Sequence, residues 1–295
     1  MTAQPAPKKR TVLFLSPHLD DAVFSCPGQI LAEVHSGAAV VVATLFSHSG
    51  PKSPKKEYRA RREEDRKAVT LLGATPHWFR LPDAPYRFHY YRSFRAIIFG
   101  EAPSDELWVP EITKQLHLLV DTLDPIRIYA PLGVGNHIDH RLTFRAVLSS
   151  GLTRGLRFYE ERPYSLVPHA VEWRRHQILR NESDDELSRA YWSSLLRARY
   201  VKNYLPGGSE RRLCREALMT APGESRRTPR RLESEIHTVD VRDIPLLADA
   251  VFAYQSQTPA FLGSQKQWLQ ASRRYAQTLD CPRGWCERLW VPSWR

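Results

Sequence analysis

The chain has 295 residues and a formal net charge of +11; 42% of its residues are hydrophobic and 25% charged. Such a composition describes a globular chain long enough to bury a full core and excludes a disordered or fibrous one. No apolar run approaches the roughly 18 residues that cross a bilayer, so no membrane span is expected. The basic balance comes without finger spacing, an RNP-like strand or a heptad, and nucleic acid is therefore not an expected partner.

Residues 1–10 are polar, contain prolines and end in Lys8-Lys9-Arg10. They read as a disordered lead-in without an apolar signal core, which gives a cytoplasmic expectation for a single α/β domain over 11–295. Residues 11–15 are β-branched and apolar, as a buried parallel strand should be. The run stops at Pro17, and His18, Asp20 and Asp21 follow at once. Residues 22–35 carry apolar residues at helical spacing, and 38–46 read as strand two. A Ser, Gly, Pro and Lys loop at 47–56 leads to a charged amphipathic helix at 57–72, with Ala60, Ala68, Val69, Leu71 and Leu72 as its inward positions and Gly73 ending it. Residues 77–81 read as strand three, 109–123 as a helix and 126–130 as strand four. Alternation of this kind implies parallel strands with right-handed crossovers. The expected fold is thus a Rossmann-like three-layer sandwich with a mostly parallel sheet. Its core spans 11–164 and 235–295, with a mainly helical insertion over 165–234. There is no Gly-x-Gly-x-x-Gly after strand one, so a nicotinamide cofactor is not expected.

Two places resist a purely structural reading. Residues 84–104 are crowded with aromatics and arginines (Tyr86, Arg87, Phe88, His89, Tyr90, Tyr91, Arg92, Phe94, Arg95), too long a stretch for a simple connector. It suits a cover over a substrate or a cap over a core face. Strand four leads through Pro131-Leu132-Gly133-Val134-Gly135-Asn136 into His137-Ile138-Asp139-His140. Ligands of open α/β sheets bind beyond the carboxyl ends of strands. One His and one Asp from the first cluster with one His from the second would make a three-ligand metal centre open to water. Asp20 and Asp21 also suit the N-terminus of the helix that follows them.

The two clusters resemble the His-Pro-Asp-Asp and His-Pro-Asp-His motifs of the PIG-L/LmbE-like family of zinc-dependent de-N-acetylases. Arg61, Glu64, Ala68 and Leu72-Gly73 match that family's Arg-x-x-Glu-x-x-x-Ala-x-x-x-Leu-Gly helix. Leu81-Pro82-Asp83 stands where the family has a substrate-facing Asp. Tyr159-Glu160-Glu161-Arg162-Pro163-Tyr164 and Ala253-Tyr254-Gln255-Ser256-Gln257 resemble two further segments. Leu19 and Ile138 replace the usual prolines and Ala22 a common Glu, and none of these changes removes a proposed ligand.

The resemblance implies His18, Asp21 and His140 as metal ligands, with Zn²⁺ expected and Fe²⁺, Co²⁺ or Mn²⁺ also suited to nitrogen and carboxylate donors. Asp20 becomes the general base, and His137, if protonated, stabilises the oxyanion with Asp139 orienting its ring. Either Asp20 or His137 then protonates the leaving amine. Arg61 and Asp83 become sugar contacts. The implied activity is removal of an N-acetyl group from an N-acetylglucosamine-type sugar or glycoconjugate; the alternative is another metal-dependent reaction on the same scaffold, by an amidase on a thiol conjugate or a hydratase. A small-molecule substrate is expected, anionic if the basic patch Lys52, Lys55, Lys56 and Arg59 serves it, and a homo-oligomer is left open. Cys26 reads as a buried small hydrophobe, and Cys281 and Cys286 as a reduced pair.

Overall fold

A computed structural model describes residues 10–50, 55–87, 90–100, 102, 105, 107–179, 184–205, 207–221, 223–224, 228–281 and 284–294. Residues 1–9 of the expected lead-in, Lys52, Phe88, His89 and the Arg226-Arg227 pair lie outside them. In chain order the elements are β1 (Thr11–Ser16), α1 (Asp21–Ser25), α2 (Pro27–His35), β2 (Ala39–Thr44), α3 (Lys55–Leu71) and β3 (Thr75–Trp78). Then come α4 (Ala84–Arg87), α5 (Phe94–Phe99), α6 (Trp108–Leu123), β4 (Arg127–Pro131), α7 (Ile138–Ser150) and β5 (Leu156–Tyr159). The second half adds α8 (Ala170–Leu179), α9 (Asp185–Leu195), α10 (Arg199–Tyr204), α11 (Ser209–Met219), β6 (Arg231–Thr238), α12 (Ile244–Phe252), α13 (Thr258–Phe261), α14 (Gln265–Thr278) and β7 (Cys286–Ser293).

The seven strands form one sheet in the order β3-β2-β1-β4-β5-β7-β6. The first five are parallel, and β7 pairs antiparallel with both β5 and β6. Successive side chains of a strand face opposite sides, and β1 shows the result: Leu13 and Leu15 enter one core cluster, Val12 and Phe14 the other. The first cluster packs under α6 and α7, the second under α2, α3 and α12. Chain order reverses between β1 and β4, where Val12, Leu13 and Phe14 lie beside Arg127, Ile128 and Tyr129. That reversal opens a crevice at the carboxyl ends of both strands. The two motif loops leave the sheet there.

Several expected elements differ in detail. The helix read over 22–35 is two helices, because Cys26 leaves helical geometry (φ −142°, ψ 49°) before Pro27, the first residue of α2. Proline lacks an N–H and pushes the preceding residue out of helical geometry. Strand three runs over 75–78 instead of 77–81, and Arg80 and Pro82 make only single bridges to Phe46 and His48. Pro76 is tolerated because β3 is an edge strand. Helices fill 170–219, but the sheet resumes at Arg231, four residues before the expected 235. On α3, Ala60 and Leu71 are exposed, and the buried stripe is Tyr58, Arg61, Asp65, Ala68, Val69 and Leu72. Ala68, Val69 and Leu72 face inward as expected, but the stripe also holds Arg61 and Asp65, which apolar spacing does not reveal. Of the basic patch, Lys56 and Arg59 are exposed. All four cysteines are free, with Cys26 buried. Among the described residues no helix is long and apolar enough to cross a membrane.

Candidate active site

The β1–α1 turn is built by its own side chains. Ser16 Oγ donates to the carbonyl of His18 (2.6 Å) and accepts the Ala22 N–H (3.0 Å), which folds residues 16–22 into a tight loop. Asp21 accepts the His18 N–H (2.8 Å). Asp20 precedes α1 but its side chain makes no capping hydrogen bond, so its carboxylate is not consumed by the helix. Across the crevice, Gly133 and Gly135 take left-handed φ values of +87° and +86°, which only glycine adopts cheaply. They turn the chain so that His137 precedes α7 and His140 sits in its first turn.

The two clusters meet. His18 Nδ1 lies 3.0 Å from Asp21 Oδ2, Asp21 Oδ2 lies 3.1 Å from His140 Nε2, and His140 Nε2 lies 3.3 Å from His18 Nδ1. Donor atoms around a tetrahedral zinc, bonded at about 2.0–2.1 Å, stand about 3.3 Å apart. The triangle therefore has the dimensions of three ligands facing one small cation, and the donors are two nitrogens and a carboxylate oxygen. The ring of His137 also offers a nitrogen within 4.8 Å of those of His18 and His140.

Each imidazole is held from behind. His18 Nε2 lies 3.1 Å from Asp139 Oδ2, and His140 Nδ1 lies 3.2 Å from Glu161 Oε1. A carboxylate on the far nitrogen fixes the tautomer, so that the near nitrogen presents its lone pair to a metal. Glu161 also accepts the N–H groups of Gly133 (2.7 Å) and Val134 (3.0 Å), tying the loop to the end of β5. Asp139 does not orient the His137 ring with its carboxylate, as expected from the sequence. Its Oδ1 accepts from Arg87, its Oδ2 accepts the Ala84 N–H (2.9 Å), and only its backbone N–H reaches His137, at Nδ1 (3.2 Å). The short helix α4 brings Arg87 and Ala84 under Asp139, which no spacing in the sequence announced.

Electrostatics follow the crowding. Burial works against the charged form of His140, but Asp21 and Glu161 beside it raise its pKa to about 9. His18, equally buried, is raised well above its ordinary value by Asp83, Asp21 and Asp139. Burial and the neighbouring His18 push His137 down to about 3, so its ring is neutral rather than protonated. Burial lifts Asp20 to about 6, against the pull of Arg61. Burial opposes ionisation of Asp83 too, yet His18 and Arg61 hold it well below the carboxylate range. Arg61 lies 3.9 Å from Asp20 and 3.8 Å from Asp83, and Tyr58 donates to Asp83.

His18, Asp20, Asp21, Arg61, Asp83 and His137 line the floor of a cavity of about 600 Å³. The aromatic segment contributes to both the core and the cavity wall. Arg87 and Tyr91 are buried, while Phe94, Ile97 and Ile98 face the cavity. The late Tyr254 donates to Asp65 of α3 (2.8 Å), and Gln257 lines the cavity.

Comparison with known proteins bears on the first half of the chain above all. Residues 13–150 match the family described as PIG-L: GlcNAc-PI de-N-acetylase. Over that stretch the chain is similar to the PIG-L family. Two curated relatives are 2'-N-acetylparomamine deacetylases. That of Niallia circulans is 27% identical over 206 residues, 57% of this chain and 70% of that protein. That of Streptomyces fradiae is 30% identical over 186 residues, 57% of this chain and 62% of that protein. In three dimensions the chain is similar to the zinc-inhibited form of teicoplanin deacetylase Orf2, with a TM-score of 0.67 at 21% identity over 95% of this chain and 97% of that one. At that identity the last likeness is one of fold. The α/β sandwich with a mostly parallel sheet is thus shared with teicoplanin deacetylase Orf2, and the two curated relatives are deacetylases.

Sequence reasoning did not assign Glu161, Arg87 or Tyr58. Glu161 carried a signal: two consecutive carboxylates directly after β5, at the sheet edge where both motifs end. Arg87 carried none, being one of three arginines in a single aromatic stretch.

Proposed function

We propose that this chain is a metal-dependent hydrolase that removes the N-acetyl group from an N-acetylglucosamine-type sugar or glycoconjugate. The observation that carries the reading is the triangle of His18 Nδ1, Asp21 Oδ2 and His140 Nε2, with edges of 3.0, 3.1 and 3.3 Å, of which His18 and Asp21 line the cavity beside Asp20 and His140 lies buried behind them. His18, Asp21 and His140 would hold the cation. Zn²⁺ fits the donor set best, and Fe²⁺, Co²⁺ or Mn²⁺ share the same donors. When bound, the cation supplies Lewis-acid polarisation of the amide carbonyl and a lowered pKa for water.

The chain's own residues do the rest. Asp20, ionised at neutral pH, takes a proton from the attacking water. As the carbonyl carbon becomes tetrahedral, negative charge develops on its oxygen. His137 accepts the Asp139 N–H at Nδ1, which leaves its proton on Nε2 to donate to that oxygen as a neutral group. A neutral His137 is a poor proton donor to the amine, and this favours Asp20 for both transfers. When the C–N bond breaks, Asp20 returns its proton to the departing nitrogen; acetate and the free amino sugar leave. Arg61 and Asp83, fixed to each other and to Tyr58 at the cavity floor, are placed to bind sugar hydroxyls.

Acetate release from a panel of N-acetyl sugars by metal-loaded protein tests this directly. Release that is lost in both Asp20→Asn and His140→Ala is the expected result. A fully metallated protein that releases acetate from none of them overturns it.

A further inference from the structure

The cavity has two chemically distinct halves. Its floor is the charged cluster already described. Its outer wall is mainly apolar, with Arg92 and Glu210 as its charged members: Phe94, Ile97 and Ile98 come from the aromatic segment, Tyr200 and Tyr204 from α10, and Phe261 from α13. At about 600 Å³ the space falls in the range that takes a drug-sized ligand, roughly 300–1,000 Å³, and exceeds what one acetamido sugar fills.

The wall is ordered as a row of rings leading away from the metal triangle. Tyr164 packs edge-on against His140 with centroids 5.5 Å apart and edge-on against Tyr200 at 5.1 Å. Farther out, Tyr204 stacks on Phe261 at 6.2 Å and 27°. Aromatic rings in such rows favour a flat or elongated apolar guest over a hydrated one. Within the row the Tyr200 hydroxyl stands out. Tyr200 is only 4% exposed, lines the cavity, and its hydroxyl has no hydrogen-bond partner among the described residues. A buried hydroxyl without a partner costs on the order of 1–3 kcal/mol, and a ligand oxygen beside it would relieve that cost. Polar sugars alone do not account for either feature.

We propose that the outer half of the cavity is a subsite for an apolar aglycone, with the Tyr200 hydroxyl donating to an oxygen at its junction with the sugar. The inference rests on the deacetylase reading for the floor and adds the substrate class: an N-acetylhexosaminide bearing an aryl or alkyl group, in contrast to a free or purely polar amino sugar. The phenolic proton of Tyr200 stays in place, since burial raises its pKa well above the ordinary value. The row opens outward, since Tyr204 is 51% exposed, so an aglycone longer than the wall can continue into solvent.

Two measurements test this on the full-length chain. The first is acetate release from N-acetylglucosamine and from its methyl, hexyl and phenyl β-glycosides by the metal-loaded protein. The second is calorimetric binding of the corresponding glucosamine glycosides, which needs no turnover. The expected result is a kcat/KM about tenfold or more higher for the phenyl and hexyl glycosides than for the methyl glycoside, with tighter binding in the same order. Phenyl above hexyl assigns the wall to an aromatic guest, and the reverse order to an aliphatic one. In Ile97→Asp the ratio of phenyl to methyl glycoside should collapse toward one, and Tyr200→Phe should raise KM for all glycosides while leaving the aryl preference. Equal kcat/KM across the four sugars with measurable acetate release overturns the subsite and leaves the deacetylase reading standing. Ranked binding without any acetate release overturns the deacetylase reading and leaves the subsite.

Discussion

Arg87 and Asp139 form a buried ion pair whose far side is the His18–Asp21–His140 triangle: the guanidinium donates to Oδ1 of Asp139, and Oδ2 stands 3.1 Å from Nε2 of His18. Arg87 is itself held over the rings of Phe46, Tyr91 and Trp108, with centroids 5.1, 5.3 and 5.5 Å away. The aromatic segment therefore sets the charge behind a proposed ligand. Arg87→Met should leave a folded protein whose affinity for Co²⁺ or Zn²⁺ falls about 10–100-fold, since the partner of a ligating histidine is disturbed. Arg87→Lys should recover part of the loss. Chelator competition, with circular dichroism as the control for folding, measures both. Unchanged affinity in a folded Arg87→Met protein removes Arg87 from the metal centre.

Asp20 gives a prediction in pH. It is raised to about 6 with no cation beside it, and a bound cation can only stabilise the carboxylate further. The base form is lost as pH falls, so kcat/KM should decline on the acid side with an apparent pKa of about 6 or lower. Asp20→Asn should lower kcat by about 10²–10⁴-fold while metal content stays at the wild-type value. A rate profile flat down to pH 4, or an active Asn variant, rules out Asp20 as the base.

Metal binding should itself depend on pH. His140 is raised to about 9 and His18 well above its ordinary value, so at neutral pH the cation must displace protons. Affinity should therefore rise with pH up to about 9, releasing between about one and two protons per ion. Competition titrations at pH 6, 7 and 8 in buffers of different ionisation enthalpy would show it. A pH-independent affinity contradicts the assignment of these imidazoles as ligands.

A fourth prediction concerns stability. Glu224 binds Arg174 (2.6 Å) and Arg145 (2.8 Å) and lies 3.7 Å from Arg141, while Arg174 also donates to the Leu132 carbonyl (2.9 Å) beside the His137 loop. Burial opposes the charge of Glu224, but the three arginines hold its pKa well below the ordinary range. A depressed carboxylate stabilises the fold fully above its unfolded pKa, about 4.3, and progressively less as pH falls below it. Glu224→Gln should cost about 3–5 kcal/mol near neutral pH by leaving buried guanidinium groups uncompensated, and the gap to wild type should narrow below pH 4. Urea melts at pH 7 and pH 3.5 would check it; an equal gap at both contradicts the linkage.

Much of the site was legible because its parts sit where short-range rules apply. A β-branched run ending at Pro17, and another ending at Pro131-Leu132-Gly133, place His18, Asp20, Asp21, His137 and His140 after strands, and an α/β alternation brings strand ends to one edge. What stayed hidden depended on partners distant in sequence. The inner face of α3 is polar because Arg61 and Asp65 find Asp20, Asp83, Trp78 and Tyr254 after folding. Asp139 looked like an orienter of His137, two residues away, until Arg87 and Ala84 claimed its carboxylate. The break at Cys26 was legible from Pro27 alone and was passed over because the apolar spacing on both sides matches one helix.

The division of the cavity has a consequence for engineering. Floor residues hang from the central crevice of the sheet, whereas Tyr200, Tyr204 and Phe261 belong to the second half of the chain, outside residues 13–150. Transplanting only those outer helices between relatives should shift what the scaffold accepts and keep how it reacts, and in chimeras cut at the segment after α8 and again before α14 the chemistry would come from one parent and the selectivity from both, because Phe94, Ile97 and Ile98 stay with the floor.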